Sequence, residues 1–90
     1  MLKVRYSARF KKDFKLVQKR GYDIGLFEEI VLMLCNEKPL PPKNNDHALS
    51  GNYSGFRECH ITPDWLLIYK VQKDILTLSL TRTGTHSELF

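Results

Sequence analysis

The sequence is short of the residues on which several classes of protein depend. It has two cysteines, Cys35 and Cys59, too few for a disulfide framework. No run approaches the roughly 20 apolar residues needed to cross a bilayer. Charges interrupt Met1-Leu2-Lys3-Val4-Arg5 at once, so no signal peptide and no membrane association are expected. The five glycines are scattered singly, without the spacing of a phosphate-cradling loop. Close Cys-Cys or His-His pairs of the kind zinc sites use are missing. Cys59 and His60 are neighbours on a strand-like run and therefore point to opposite faces. Neither a metal nor another cofactor is expected. Ninety residues leave no room for a cofactor cleft between two domains. At 42% hydrophobic and 27% charged residues, the chain reads as one cytoplasmic globular domain over 1–90 and not as a disordered segment.

Acid is scarce in one region. Residues 1–20 carry eight basic side chains against Asp13 alone, whereas the other seventy residues are net acidic. Such a basic element is the electrostatic footprint of a polyanion, or else a solvated helix face.

Periodicity supplies the architecture. Leu2–Tyr6 alternates with period two and reads as a strand. Ser7 is a good N-cap, Phe10, Phe14 and Val17 recur at helical spacing, and Gly21 suits the position after a helix. Lys11, Lys12, Lys15 and Lys19 fall on the opposite side of that helix. A second helix is expected from about Asp23 to Asn36, with Leu26, Phe27, Ile30, Val31, Met33 and Leu34 apolar. A proline-rich loop over 38–54 is long enough in so small a domain to suggest function. Three strand-like runs follow, Phe56–Thr62, Trp65–Val71 and Ile75–Arg82, joined by links short enough to force an antiparallel meander. The prediction is an α+β fold ordered β-α-α-β-β-β, with a two-helix hairpin on one face of a small sheet. Pairing Val71 with Ile75 and Thr62 with Trp65 places Cys59, Ile61, Leu66, Ile68, Leu78 and Leu80 on the covered face. Phe56, Glu58 and His60 then point to an uncovered side.

The meander brings His60, Asp64, Trp65 and Arg82 to one edge of the sheet, and Thr83-Gly84-Thr85-His86 follows directly, so His86 can stand over the same edge. The long loop can fold His47 back to the same place. Imidazole exchanges protons near neutral pH. Cleaving RNA without a metal needs a base for the 2′-hydroxyl proton, an acid for the leaving 5′-oxygen and a cation for the charge developing on phosphorus. His47, His60 or His86 with Asp64 can divide the proton transfers, Arg82 offers a planar fork to phosphate oxygens, and Trp65 and Phe90 can stack on bases. Each residue alone also has a plainer use: Asp64 in a turn, Trp65 in the core, Arg82 as a sheet-edge charge, Phe90 at a frayed end.

These residues carry a family resemblance. Asp46-His47-Ala48-Leu49-Ser50-Gly51, then Phe56 through Lys70, then Arg82-Thr83-Gly84-Thr85-His86-Ser87-Glu88-Leu89-Phe90 resemble the YafQ family of toxins within the RelE/ParE superfamily of type II toxin–antitoxin systems. The resemblance spans essentially the whole chain. It implies an endoribonuclease, an mRNA interferase that cuts mRNA in the ribosomal A site by 2′-hydroxyl attack on the adjacent phosphate. By position it places the functional histidines at His47, His60 and His86, the acid at Asp64, the phosphate-binding arginine at Arg82 and the aromatic contacts at Trp65 and Phe90. It further implies the 70S ribosome as partner, a small, partly disordered antitoxin, and operator DNA bound mainly by the antitoxin. Lys11, Lys12, Lys15 and Lys19 are expected to contact ribosomal RNA, in an association that weakens with salt. Two other readings of the sequence are a ParE-like inhibitor of DNA gyrase and a basic nucleic-acid-binding domain without catalysis.

Overall fold

Strand β1 (Lys3–Tyr6) leads into helix α1 (Ala8–Lys19) and helix α2 (Ile24–Cys35) in a computed structural model that describes residues 1–90. Ser7 caps α1, its Oγ accepting from the Phe10 N–H at 2.9 Å and donating to the Thr81 carbonyl at 2.7 Å, so the cap also ties the helix to the sheet. Gly21, at φ 74°, takes the left-handed turn that ends α1. Asp23 caps α2 through the Gly25 N–H. After the long loop come β2 (His47–Ala48), β3 (Arg57–Thr62), β4 (Trp65–Gln72), β5 (Thr77–Gly84) and the short helix α3 (His86–Leu89). No helix is long and apolar enough to cross a membrane.

The five strands order as β1-β5-β4-β3-β2. The predicted meander is present, β3 to β4 to β5, and β1 joins it as a parallel edge strand against β5. Two elements go beyond the predicted set: β2, which the long loop adds beside β3, and α3. The last strand begins at Thr77 and not at Ile75, because Lys73–Ile75 forms a 3-10 turn and Leu76 is left-handed at φ 49°.

Register is where expectation and structure part. Thr62 does face Trp65, but Val71 faces Leu78 and not Ile75. Two one-residue bulges, at Ile61 in β3 and at Thr81 in β5, reset the pairing. Trp65, Leu67 and Tyr69 therefore pack under the helices with Cys59, Ile61, Leu78, Leu80, Phe10, Val17, Phe27 and Ile30, in a core of fourteen buried residues. Leu66 and Ile68, predicted to share that layer, turn to the opposite face because side chains alternate along a strand. They form a small cluster there with Leu89, against Leu49, Tyr53 and Phe56. The far side is thus partly covered by the long loop and α3. Leu26, expected in the apolar stripe of α2, is exposed.

Candidate active site

The bulge at Thr81 decides which face carries Arg82. Unbroken alternation through Leu78 and Leu80 would send position 82 into the helix-covered core. With one residue inserted, Arg82 pairs with Ile68 on the far face and Thr83 pairs with Leu67 on the core face. Pairing then runs straight across four strands: His47 opposite Glu58, Glu58 opposite Ile68, Ile68 opposite Arg82. A second row holds His60, Leu66 and Gly84. His47 and Arg82 stand three strand spacings apart, about 14 Å between backbones.

At one end of the first row two imidazoles meet one carboxylate. Glu58 is 5% exposed, and its Oε1 lies 3.5 Å from His47 Nε2 and 3.8 Å from His60 Nε2. Its Oε2 is buried without a hydrogen-bond partner. His47 Nδ1 is 2.7 Å from the Asn45 carbonyl, which can only accept, so Nδ1 carries the hydrogen and Nε2 is a bare acceptor whenever the ring is neutral. His60 is fixed from behind, its carbonyl accepting from buried Asn44 Nδ2 at 2.7 Å. Asp46 anchors the loop beside His47 by accepting from Arg57 Nε at 3.2 Å and from the Tyr69 hydroxyl at 2.5 Å. Burial and then Asp46 push the Tyr69 phenol up, so it remains a donor.

The other end is built by α3. His86 opens this helix, and its ring lies 5.0 Å from that of Phe90. Phe90 in turn meets Tyr53 edge-on at 5.7 Å, and Tyr53 meets Phe56 edge-on at 6.1 Å. Glu88 holds the helix start, accepting from the Thr85 N–H at 2.8 Å and pairing with Arg20, the residue that caps the end of α1, through both terminal guanidinium nitrogens. Arg20 and the Thr85 N–H draw the Glu88 carboxyl down to about 2. Gly84 leaves space for that carboxylate, since a Cβ there would fall 2.9 Å from Glu88 Oε1. Exposed Asp64 lines a cleft of about 530 Å³ together with His86, Thr85, Ser87, Pro63 and Tyr22.

Several expected site residues have different surroundings from those the sequence suggested. Trp65, expected to stack on RNA, is instead buried at 1% exposure in this structure. It packs against Tyr22 and Phe27, and its Nε1 donates to Thr83 Oγ1 at 2.8 Å. Arg82 is engaged by Asp13, which raises its pKa. Cys59 is fully buried on the core face, where burial pushes its thiol up to about 12, away from any thiolate chemistry. Phe90, at 54% exposure, and the four lysines of α1 are open to solvent. Sequence reasoning missed Glu58 as a partner of the histidines. The available signal was its i, i+2 spacing to His60, which puts both on one strand face.

The match to known proteins is full-length. The family described as the bacterial toxin of type II toxin–antitoxin system, YafQ, matches residues 2–90. The mRNA interferase toxin YafQ of Escherichia coli K12 is 42% identical over 88 residues, covering 97% of this chain and 94% of that protein. A metal-bound toxin from Helicobacter pylori superimposes with a TM-score of 0.95 at 48% identity over the whole of both chains. YafQ in the E. coli DinJ-YafQ complex superimposes with a TM-score of 0.90 at 41% identity, covering 100% of this chain and 99% of that one. Imidazole and carboxylate are donors that transition metals accept. Here, however, no three His, Cys, Asp or Glu side chains are arranged to hold an ion. Fold, register and full-length likeness together place this chain in the YafQ family of type II toxin–antitoxin toxins.

Proposed function

We propose that the chain is the toxin of a type II pair and an endoribonuclease that cuts mRNA in the ribosomal A site. The observation that carries this reading is the pairing row His47–Glu58–Ile68–Arg82 on the face away from the helices, with His60 in the next row and His86 opening α3 just after the strand that holds Arg82.

The 2′-hydroxyl attacks the neighbouring phosphorus, the bond to the 5′-oxygen breaks, and a 2′,3′-cyclic phosphate and a 5′-hydroxyl result. Attack and departure occur on opposite sides of phosphorus, so base and acid must approach from two directions. The imidazoles beside Glu58 form one group and His86 on α3 the other. The first group takes the 2′ proton through a bare Nε2, the Glu58 carboxylate nearby stabilising the imidazolium that forms, and His86 returns a proton to the leaving oxygen. Arg82 faces the charge that develops on the phosphate. Asp64, across the cleft from the α3 start, orients His86, and Phe90 stacks on a base.

Lys11, Lys12, Lys15 and Lys19 contact ribosomal RNA, an association that weakens as salt rises. A disordered antitoxin segment covers the open face, and operator DNA is held mainly by the antitoxin. Primer extension on translated mRNA tests the reading. Ribosome-dependent cuts within codons are expected, and they should disappear with His86→Ala. Intact mRNA together with inhibited DNA supercoiling would overturn it.

A further inference from the structure

Asp13 is the one acid among the first twenty residues, and its carboxylate is turned away from the basic face of α1. β1 pairs only with Thr77–Leu80, so the end of β5 is open on that side and α1 runs along it. Asp13 reaches across this gap. Its Oδ2 accepts from Arg82 Nε at 2.8 Å and its Oδ1 from Arg82 Nη2 at 3.1 Å. Oδ2 also accepts from the Thr83 backbone N–H at 3.2 Å. The two side chains are 17% and 13% exposed, which keeps the pair largely out of solvent competition.

Two fork contacts define a plane. An arginine held at Nε and Nη2 cannot swing about its long stem, and the edge it has left to offer is Nη1. Tyr53, whose hydroxyl approaches the same guanidinium, lines with Arg82, Ser7 and Arg9 a cleft of about 320 Å³. We propose that Asp13 is the positioning residue for Arg82: it fixes the guanidinium plane and the strand end beneath it, so that Nη1 meets a phosphate oxygen. The proposal rests on the reading of Arg82 as the phosphate-binding group. Pairing with a carboxylate offsets part of the arginine's charge, so it does not favour phosphate binding as such. Its benefit is orientation at the reacting phosphorus, which appears in kcat and not in KM.

Cleavage of ribosome-bound mRNA is to be measured for the wild type, Asp13→Ala, Asp13→Asn, Arg82→Ala and the double variant Asp13→Ala/Arg82→Ala. Asp13→Ala should lower kcat by about 100-fold while the half-saturating concentration does not rise. Asp13→Asn, which keeps an acceptor for Nε, should lose less. The double variant should be no slower than Arg82→Ala, because one residue acts through the other. A wild-type or higher rate in Asp13→Ala would overturn the proposal; a higher rate would mean that Asp13 restrains Arg82 instead of aiming it. Losses that multiply in the double variant would also overturn it. Should Asp13→Ala fail to fold, the near-isosteric Asp13→Asn decides alone, and a folded Asp13→Asn with the wild-type rate would end the proposal. Undiminished cleavage by Arg82→Ala would instead remove the reading of Arg82 on which the proposal stands.

Discussion

On the helix side of the sheet, fourteen residues close into one core that includes Trp65, Leu67, Tyr69, Leu78 and Leu80. On the other side only Leu66, Ile68 and Leu89 are buried together, and His47, Glu58, His60, Arg82 and His86 stand around them. The first face is a layer that excludes water and carries stability. The second has a small apolar floor with polar groups at its margin. A domain of this size has little burial to spare. Dividing the residues between two faces leaves His60 half-buried and His86 exposed without opening the core.

That division can be broken from either side. The largest effect is expected on the chemical face: His60→Ala with His86→Ala should reduce mRNA cleavage by at least about 100- to 10,000-fold. Thermal unfolding of the same variant should stay near wild type, since His86 is exposed and His60 only half-buried. Full toxicity of the double variant would remove the catalytic reading. An RNA whose leaving oxygen is replaced by sulfur needs no acid, so it should restore cleavage by His86→Ala and not by His60→Ala; the reverse pattern would exchange the assigned acid and base.

From the core side, Trp65→Ala should cost about 3–5 kcal/mol of folding free energy in denaturant titration. It removes a 1% exposed side chain and leaves Thr83 Oγ1 without its indole donor. A stable Trp65→Ala that had lost only RNA binding would place the indole on the chemical face after all.

The smallest effect concerns the joint between the faces. Glu88 has its folded pKa drawn down to about 2 from an ordinary 4.5, so its contribution is complete above pH 4.5 and is lost as pH falls from 4.5 towards 2. Amide exchange in α3 should quicken over that window in the wild type, and Glu88→Gln should flatten the dependence. An unchanged profile in Glu88→Gln would mean that Arg20 and Thr85 do not hold α3.

Local pattern made much of this legible in advance. Ser7, Gly21 and Asp23 mark helix ends because capping is decided within a few residues. The alternation in 57–62 correctly set Glu58 and His60 on one face and Cys59 on the other. Trp65 could not be placed the same way, because an indole at the start of an apolar strand suits either the core or a base, and only its packing against Tyr22 and Phe27 separates the two. Asp13 showed in the sequence only as an isolated acid in a basic run, since its partner lies 69 residues away.

What the sequence determined by itself was the order of the main elements β-α-α-β-β-β, the ends of α1 and α2 and the residue types present for proton transfer and phosphate binding, all consequences of short-range periodicity and composition. Tertiary structure alone decided the faces. Strands alternate with period two, so one extra residue at Thr81 reverses everything beyond it and brings Arg82 out of the core side into line with Glu58 and His47. Whether such a residue is looped out depends on how β4 and β5 pair across the sheet and on α1 gripping the strand end through Asp13, contacts that no local stretch of sequence contains.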